Sequence, residues 1–279
     1  IRTLNGASAR LSRRRREDPT SRQAEILALL DAVGLVQDGA EPLKGLRIQL
    51  CGLGTVGTQI ALNLATSPVK HLQCKDSRRL MDQGEGVFSA EALGEKRQDV
   101  VRRMVTKVAP AIHTGKLEVP DLAVVCSERF TDHAATGLLL SQDIPHVVVT
   151  SNDRVVSIGP VVIPGVTPCA LCAELHERDN CGDPDNLEWA ALEMEAGAAG
   201  APFVPMHLAR AAAGIAEGMV RQLAAGAGPA AGGQVIRLTE CGVTTTTIQS
   251  HPDCGCSGID STAGSGVADD LEDVRPEMA

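Results

Sequence analysis

The 279-residue sequence predicts an α/β protein, a doubly wound parallel sheet that ends in antiparallel strands. Three observations carry this. Short apolar segments alternate with helical ones between residues 46 and 150, the pattern of repeated strand–helix–strand units. A glycine turn, Gly52-Leu-Gly54-Thr-Val-Gly57, directly follows the first apolar segment. Two cysteine pairs about eighty residues apart, Cys169/Cys172 and Cys254/Cys256, together supply four thiolates, the ligand set of a closed tetrahedral zinc site.

The elements follow in order. Ser21 can cap a helix through Val33, because Ile26, Leu27, Leu29, Leu30 and Val33 share one helical face. Gly34 stops it, and 36–44 reads as a linker. Leu46–Cys51 is strand-like and enters the glycine turn, and a helix runs from Gln59 to Ala65. His71–Lys75 is a second strand ending at Asp76, followed by a Gly-rich loop over 77–94 and a charged helix over Glu95–Val108. Leu122–Cys126 is apolar between polar flanks, as expected of a strand buried on both faces. Thr131–Ser141 is helical and His146–Thr150 is a strand. Val155–Ile163 reads as a strand pair turning at Gly159-Pro160. Ala170–Arg178 is a helix, 179–205 a long polar connection carrying Trp189, and Met206–Ala224 an Ala-rich helix. Gln234–Glu240 and Val243–Ser250 form an antiparallel pair, β-branched throughout Thr244–Thr247.

Composition narrows the function classes. With 43% apolar residues the chain is globular, and no apolar run reaches eighteen residues, so no membrane span is expected. Aromatic residues make up 1%, so the core is built from Ala, Val, Leu and Ile, and stacking platforms for nucleic acid are not expected. The net charge of −9 is uneven: residues 1–22 hold seven arginines, and the stretch after Gly258 is acidic. Such blocks are usually solvated and poorly ordered. The expected organisation is a basic, partly disordered segment with one helix (1–44), a main domain (45–257) and an acidic disordered tail (258–279). The chain opens on Ile1 and not Met, so residues are expected to precede it.

In the glycine turn, Gly52 permits the sharp bend, Gly54 lets the backbone approach a phosphate, and Gly57 allows close helix–sheet packing. The helix start that follows offers unpaired amides to an anion. Asp76, nineteen residues after Gly57, stands where a ribose-binding carboxylate belongs in a Rossmann-like unit. A glycine turn kept only for packing is the plain alternative. The cysteine spacing suits structural zinc better than a disulfide framework, since the count of nine is odd and no signal peptide is evident. A redox Cys-x-x-Cys is the other reading. Cys51, Cys74, Cys126 and Cys241 read as small buried hydrophobes in strands. Cys181, in the loop Asp-Asn-Cys-Gly-Asp, is a conceivable nucleophile with no base visibly beside it.

These features together resemble the E1-like, ThiF-type superfamily, from about Leu46 to Cys256. The stretch Gly159-Pro160-Val-Val-Ile-Pro164-Gly165-Val-Thr-Pro168-Cys169-Ala-Leu-Cys172 and the ending His251-Pro252-Asp-Cys254-Gly-Cys256 are similar to one branch. That branch is the leader-peptide-binding, cyclodehydratase-associated proteins of azole-modified peptide biosynthesis. There the E1-like module is joined to a winged-helix domain that grips the leader, and the helix at 21–33 resembles that domain's last helix.

The resemblance implies structural zinc on Cys169, Cys172, Cys254 and Cys256. It places ATP and magnesium at Gly52, Gly54, Gly57, Asp76, Lys96 and Arg97, with Arg97 and Glu128 catalytic in an active member. It also implies a precursor leader peptide and a cyclodehydratase as partners and a homodimer, while the cysteine usage itself points to a reducing, cytoplasmic setting. The chain departs from the family pattern in the nucleotide site. The family's second acid is Arg78, its triphosphate arginine is missing from the stretch starting at Asp82, its lysine is Arg97 beside Lys96, and its magnesium-holding Asp is Glu128. Adenylation needs cations on the phosphates and a carboxylate-held metal, so these changes weaken the clamp. The leading expectation is a leader-binding scaffold with a degenerate ATP site. The alternative is an active adenylyltransferase acting on the C-terminal carboxylate of a peptide or sulfur carrier. A nicotinamide oxidoreductase is a third reading, carried by the glycine turn alone.

Overall fold

The computed structural model describes residues 41–81, 86–180, 203–226 and 232–257. The helix expected at 21–33, the acidic tail, Cys181 and Trp189 lie outside them. One seven-stranded sheet organises the chain, in the order β2-β1-β3-β4-β5-β6-β7. The strands are β1 (Arg47–Cys51), β2 (His71–Lys75), β3 (Leu122–Glu128), β4 (His146–Asn152), β5 (Val155–Val162), β6 (Gln234–Thr239) and β7 (Gly242–Thr247). The helices are α1 (Thr55–Ala65), α2 (Arg97–Val108), α3 (His133–Ser141), α4 (Ala170–Asn180) and α5 (Met206–Ala224).

β1 to β4 run parallel and β5 to β7 antiparallel, as the sequence predicts. Strand alternation divides the core between the two sheet faces. Leu122, Val124 and Cys126 of β3 pack into the main core, which also takes residues of α1, α2 and α5. Ala123 and Val125 face the other way, onto Leu139 of α3 and Ile144. β3 is buried almost throughout because helices cover both faces, whereas every residue of β7 is exposed.

Two strands run past their expected ends. β3 continues to Glu128 and β4 to Asn152, and the extension carries Glu128 to the carboxyl edge of the sheet. Two expectations fail. Val155–Val162 is a single strand pairing β4 on one side and β6 on the other, with no turn at Gly159-Pro160. Gly159 has φ +101°, and an added Cβ there would lie 2.1 Å from the Gln234 carbonyl oxygen. The glycine marks an irregularity in the ladder and a close backbone approach, which is the other meaning of a strand glycine. Cys241 also departs, being exposed in the β6–β7 turn.

The glycine turn is the tightest point of the fold. Gly52 has φ +82°, and a Cβ on it would lie 1.8 Å from the Cys126 carbonyl oxygen. A Cβ on Gly57 would lie 2.1 Å from the Gly52 carbonyl oxygen. Gly137 in α3 is exposed and faces open space. Gly52→Ala therefore destabilises the chain by at least about 3 kcal/mol, while Gly137→Ala stabilises it by about 0.5–1 kcal/mol. Urea unfolding of both variants measures this, and equal effects would contradict the packing argument.

Candidate functional site

A cleft of about 520 Å³ opens at the carboxyl ends of β1, β2 and β3. The chain leaves β1 toward β2 on one side and returns to β3 on the other, so this is the topological switch point where open α/β sheets bind ligands. Cys51, Lys75, Asp76, Arg78, Ser127 and Glu128 are among its lining residues.

Asp76 directly follows β2 and is buried. Its Oδ2 accepts from the Leu53 amide of the glycine turn at 2.9 Å and from Arg78 Nη2 at 2.7 Å. Its Oδ1 accepts from the Arg78 amide at 3.0 Å and Arg78 Nε at 2.9 Å. The second arginine, Arg97, opens α2. Backbone bonds hold that helix start to the segment after β2, from the Arg97 amide to Arg78 O at 2.9 Å and from the Gln98 amide to Asp76 O at 3.2 Å. These satisfy two of the amides that a helix start leaves unpaired. Glu128 Oε2 then receives Arg78 Nη1 at 2.8 Å and Arg97 Nη1 at 2.7 Å. Two guanidiniums and two carboxylates form one closed network. Burial alone would raise the Asp76 carboxyl, but the hydrogen bonds from Arg78 and Leu53 outweigh it and hold Asp76 below its ordinary value.

Of the residues expected at the nucleotide site, Gly52, Asp76 and Glu128 line the cleft, and Arg97 reaches it through Glu128. Gly54 and Gly57 line a narrow recess beside it, with Glu128 and Ser151. Lys96 precedes α2, is exposed, and is not among the cleft residues. Sequence reasoning noted Arg78 as a departure and missed that it binds both carboxylates. Its spacing of two from Asp76 was the available signal.

The second site lies across the sheet. Cys169 and Cys172 precede and open α4, and Cys254 and Cys256 follow β7. Their four sulfurs lie within 4.8 Å of one another. Sγ–Sγ distances are 3.5 Å for Cys169–Cys254, 3.4 Å for Cys172–Cys256 and 3.9 Å for Cys169–Cys172. A metal–sulfur bond of about 2.3 Å puts tetrahedral corners about 3.8 Å apart, so the cluster fits a four-coordinate ion. Burial pushes the Cys254 thiol up to about 11 and raises Cys169 strongly. At Cys256 hydrogen bonds from Cys172 and Cys169 outweigh burial and lower it. The group could hold a metal ion. His251, almost fully buried, ties the segment before the second pair to the first pair and α4: its amide donates to Cys172 Sγ at 3.4 Å, and its Nε2 bonds Asp179 Oδ2 at 2.8 Å.

No protein-family model and no curated sequence matches the chain. Solved structures do. E. coli MccB in complex with MccA-N7isoASN aligns with TM-score 0.61 at 17% identity, over 78% of this chain and 68% of that one. MccB with ATP gives 0.61 at 16% over 78% and 67%, and PaaA gives 0.57 at 16% over 74% of each chain. The chain shares the fold of MccB, in keeping with the resemblance to E1-like, ThiF-type proteins that its sequence carries.

Within this fold, the parallel half carries the cleft and the antiparallel half carries the cysteine cluster. No helix among the described residues is long and apolar enough to cross a membrane.

Two outcomes test this geometry. The purified chain carries about one metal ion, and Cys172→Ser loses it at a cost of about 2–5 kcal/mol. A chelator then speeds hydrogen exchange in β5–β7 while β1–β4 stay protected. Full metal content in the variant would refute the cluster. The second concerns pH. A folded Asp76 held below its unfolded pKa of about 3.9 adds stability above about pH 4, which is lost as pH falls through the folded value. Arg78→Ala removes the main bonds that lower Asp76, so this acid-side loss shrinks or reverses sign. Urea titrations from about pH 5 to 2.5 measure it, and parallel curves would show that Arg78 does not set the shift.

Proposed function

We propose that this chain is an E1-like scaffold of ribosomal peptide natural-product biosynthesis. It binds a precursor leader peptide and presents the core peptide to a cyclodehydratase, over a nucleotide cleft that no longer turns over ATP. The observation that carries this reading is the engagement of Asp76. Both its oxygens are taken by Arg78 and the Leu53 amide, so a ribose hydroxyl would have to displace a bidentate guanidinium. Phosphate binding meets a related obstacle, since Arg78 and Arg97 already share the Glu128 carboxylate. The fold likeness adds support, because MccB has been solved together with MccA.

Zinc is the metal this reading assigns to Cys169, Cys172, Cys254 and Cys256. Soft thiolates in a closed tetrahedron suit it, and four protein ligands leave no open position for chemistry. The ion would pin the strands before Cys254 to the start of α4. Free thiols persist in a reducing compartment, and the cytoplasm is the one this reading assigns. A homodimer follows from the resemblance and is read by light scattering.

The competing reading is an active adenylyltransferase with Arg97 and Glu128 in catalysis. The open cleft at the switch point and the likeness to MccB with ATP favour it. ATP–pyrophosphate exchange with the purified chain separates the two. The expected result is no exchange above a protein-free control, with or without precursor peptide, alongside saturable leader binding by fluorescence anisotropy and co-purification with a cyclodehydratase. Peptide-dependent exchange would establish the enzyme and end the scaffold proposal.

A further inference from the structure

Glu128 reaches from the end of β3 to the start of α1 and lies directly on Gly54. A Cβ at Gly54 would be 2.1 Å from Glu128 Oε1, so only a bare glycine leaves room for this carboxylate. The other oxygen sits between two guanidiniums, 2.8 Å from Arg78 and 2.7 Å from Arg97. The start of α1 supplies no acid of its own, having no acidic residue in its first turn and no side-chain cap on Gly54. A helix start, a close-approach glycine and two arginines define an anion position, and a carboxylate of the chain itself fills it.

Two further features surround the carboxylate. Arg97 is only 7% exposed, and its Nε has no partner among the described residues. The cleft that Glu128 borders also takes Lys75, Arg78 and Ser127 into its wall. Arg78 has half of its side chain exposed and could follow an incoming anion.

We infer that Glu128 is an internal plug: its carboxylate occupies the anion position between Gly54, Arg78 and Arg97, and a polyphosphate enters only when Glu128 leaves it. This rests on the reading that the cleft does not turn over ATP. It opposes the role in which Glu128 holds magnesium for a nucleotide. The two roles predict opposite signs. A metal-holding Glu128 makes its removal weaken phosphate binding, whereas a plug makes its removal strengthen it.

The test uses the full chain and inorganic pyrophosphate without divalent metal. Titration calorimetry compares the wild type with Glu128→Gln, which keeps the shape and removes the charge, and with Glu128→Ala, which clears the position. The expected result is no saturable binding by the wild type and at least about tenfold tighter binding by both variants, with a pyrophosphate-dependent rise in Tm confined to the variants. If a variant folds only poorly, refolding with pyrophosphate decides, and rescue supports the plug. Affinity equal to the wild type, tight wild-type binding, or no rescue overturns it. Leader binding by the wild type is scored apart. Its absence sinks the presenting role and leaves the plug standing, and unchanged pyrophosphate affinity in the variants sinks the plug alone.

Discussion

The carboxyl edge of this sheet depends on how closely the turn after β1 approaches the end of β3. Gly52 touches the Cys126 carbonyl and Gly57 touches Gly52, so strand, turn and helix are locked at near-contact distance. That approach aims the Leu53 amide at Asp76 and sets Gly54 beneath Glu128. The turn thus joins the charge network at two points, by a backbone amide to Asp76 and by the bare glycine against which Glu128 lies.

The network is also demanding energetically. Arg97 is buried, and its Nη1 donates to Glu128 at 2.7 Å with Asp76 at 3.7 Å. Breaking a buried pair by removing one partner commonly costs about 3–5 kcal/mol, because the other charge is stranded. Arg78 is half exposed and solvent screens part of its attraction, so its contribution is smaller and more geometric. Its bidentate hold orients Asp76 and uses up both acceptor oxygens.

Much of this was legible in the sequence. Alternating apolar segments gave the parallel half, and His71–Lys75 and Met206–Ala224 have the expected limits, since propensity and periodicity agree there. The cysteine spacing foretold a four-thiolate cluster, because short loops restrict how two sulfurs can sit. Gly159-Pro160 was misread as a turn, since a glycine needed for close backbone approach looks the same in sequence as one needed for a bend. The partners of Arg78 were not legible either. Its link to Glu128 spans fifty residues and exists only because β3 runs two residues beyond its apolar stretch.

Charge balance at the cleft bears on what it can accept. Arg78 and Arg97 are matched by Asp76 and Glu128, so the network is neutral as a whole. Lys75 and Asp132, also in the cleft wall, cancel again. A triphosphate brings several negative charges and needs a surplus of cations to repay its desolvation. Neutrality is what a packed junction needs in order to fold. At this edge the chain's own opposite charges supply that balance. Meanwhile the antiparallel half is tied to α4 through the cysteine cluster, and α5 spans β4, β5 and β6 to pack against α1. Each half therefore has its own brace, the charge network at the carboxyl edge of the parallel strands and the cysteine cluster behind the antiparallel ones.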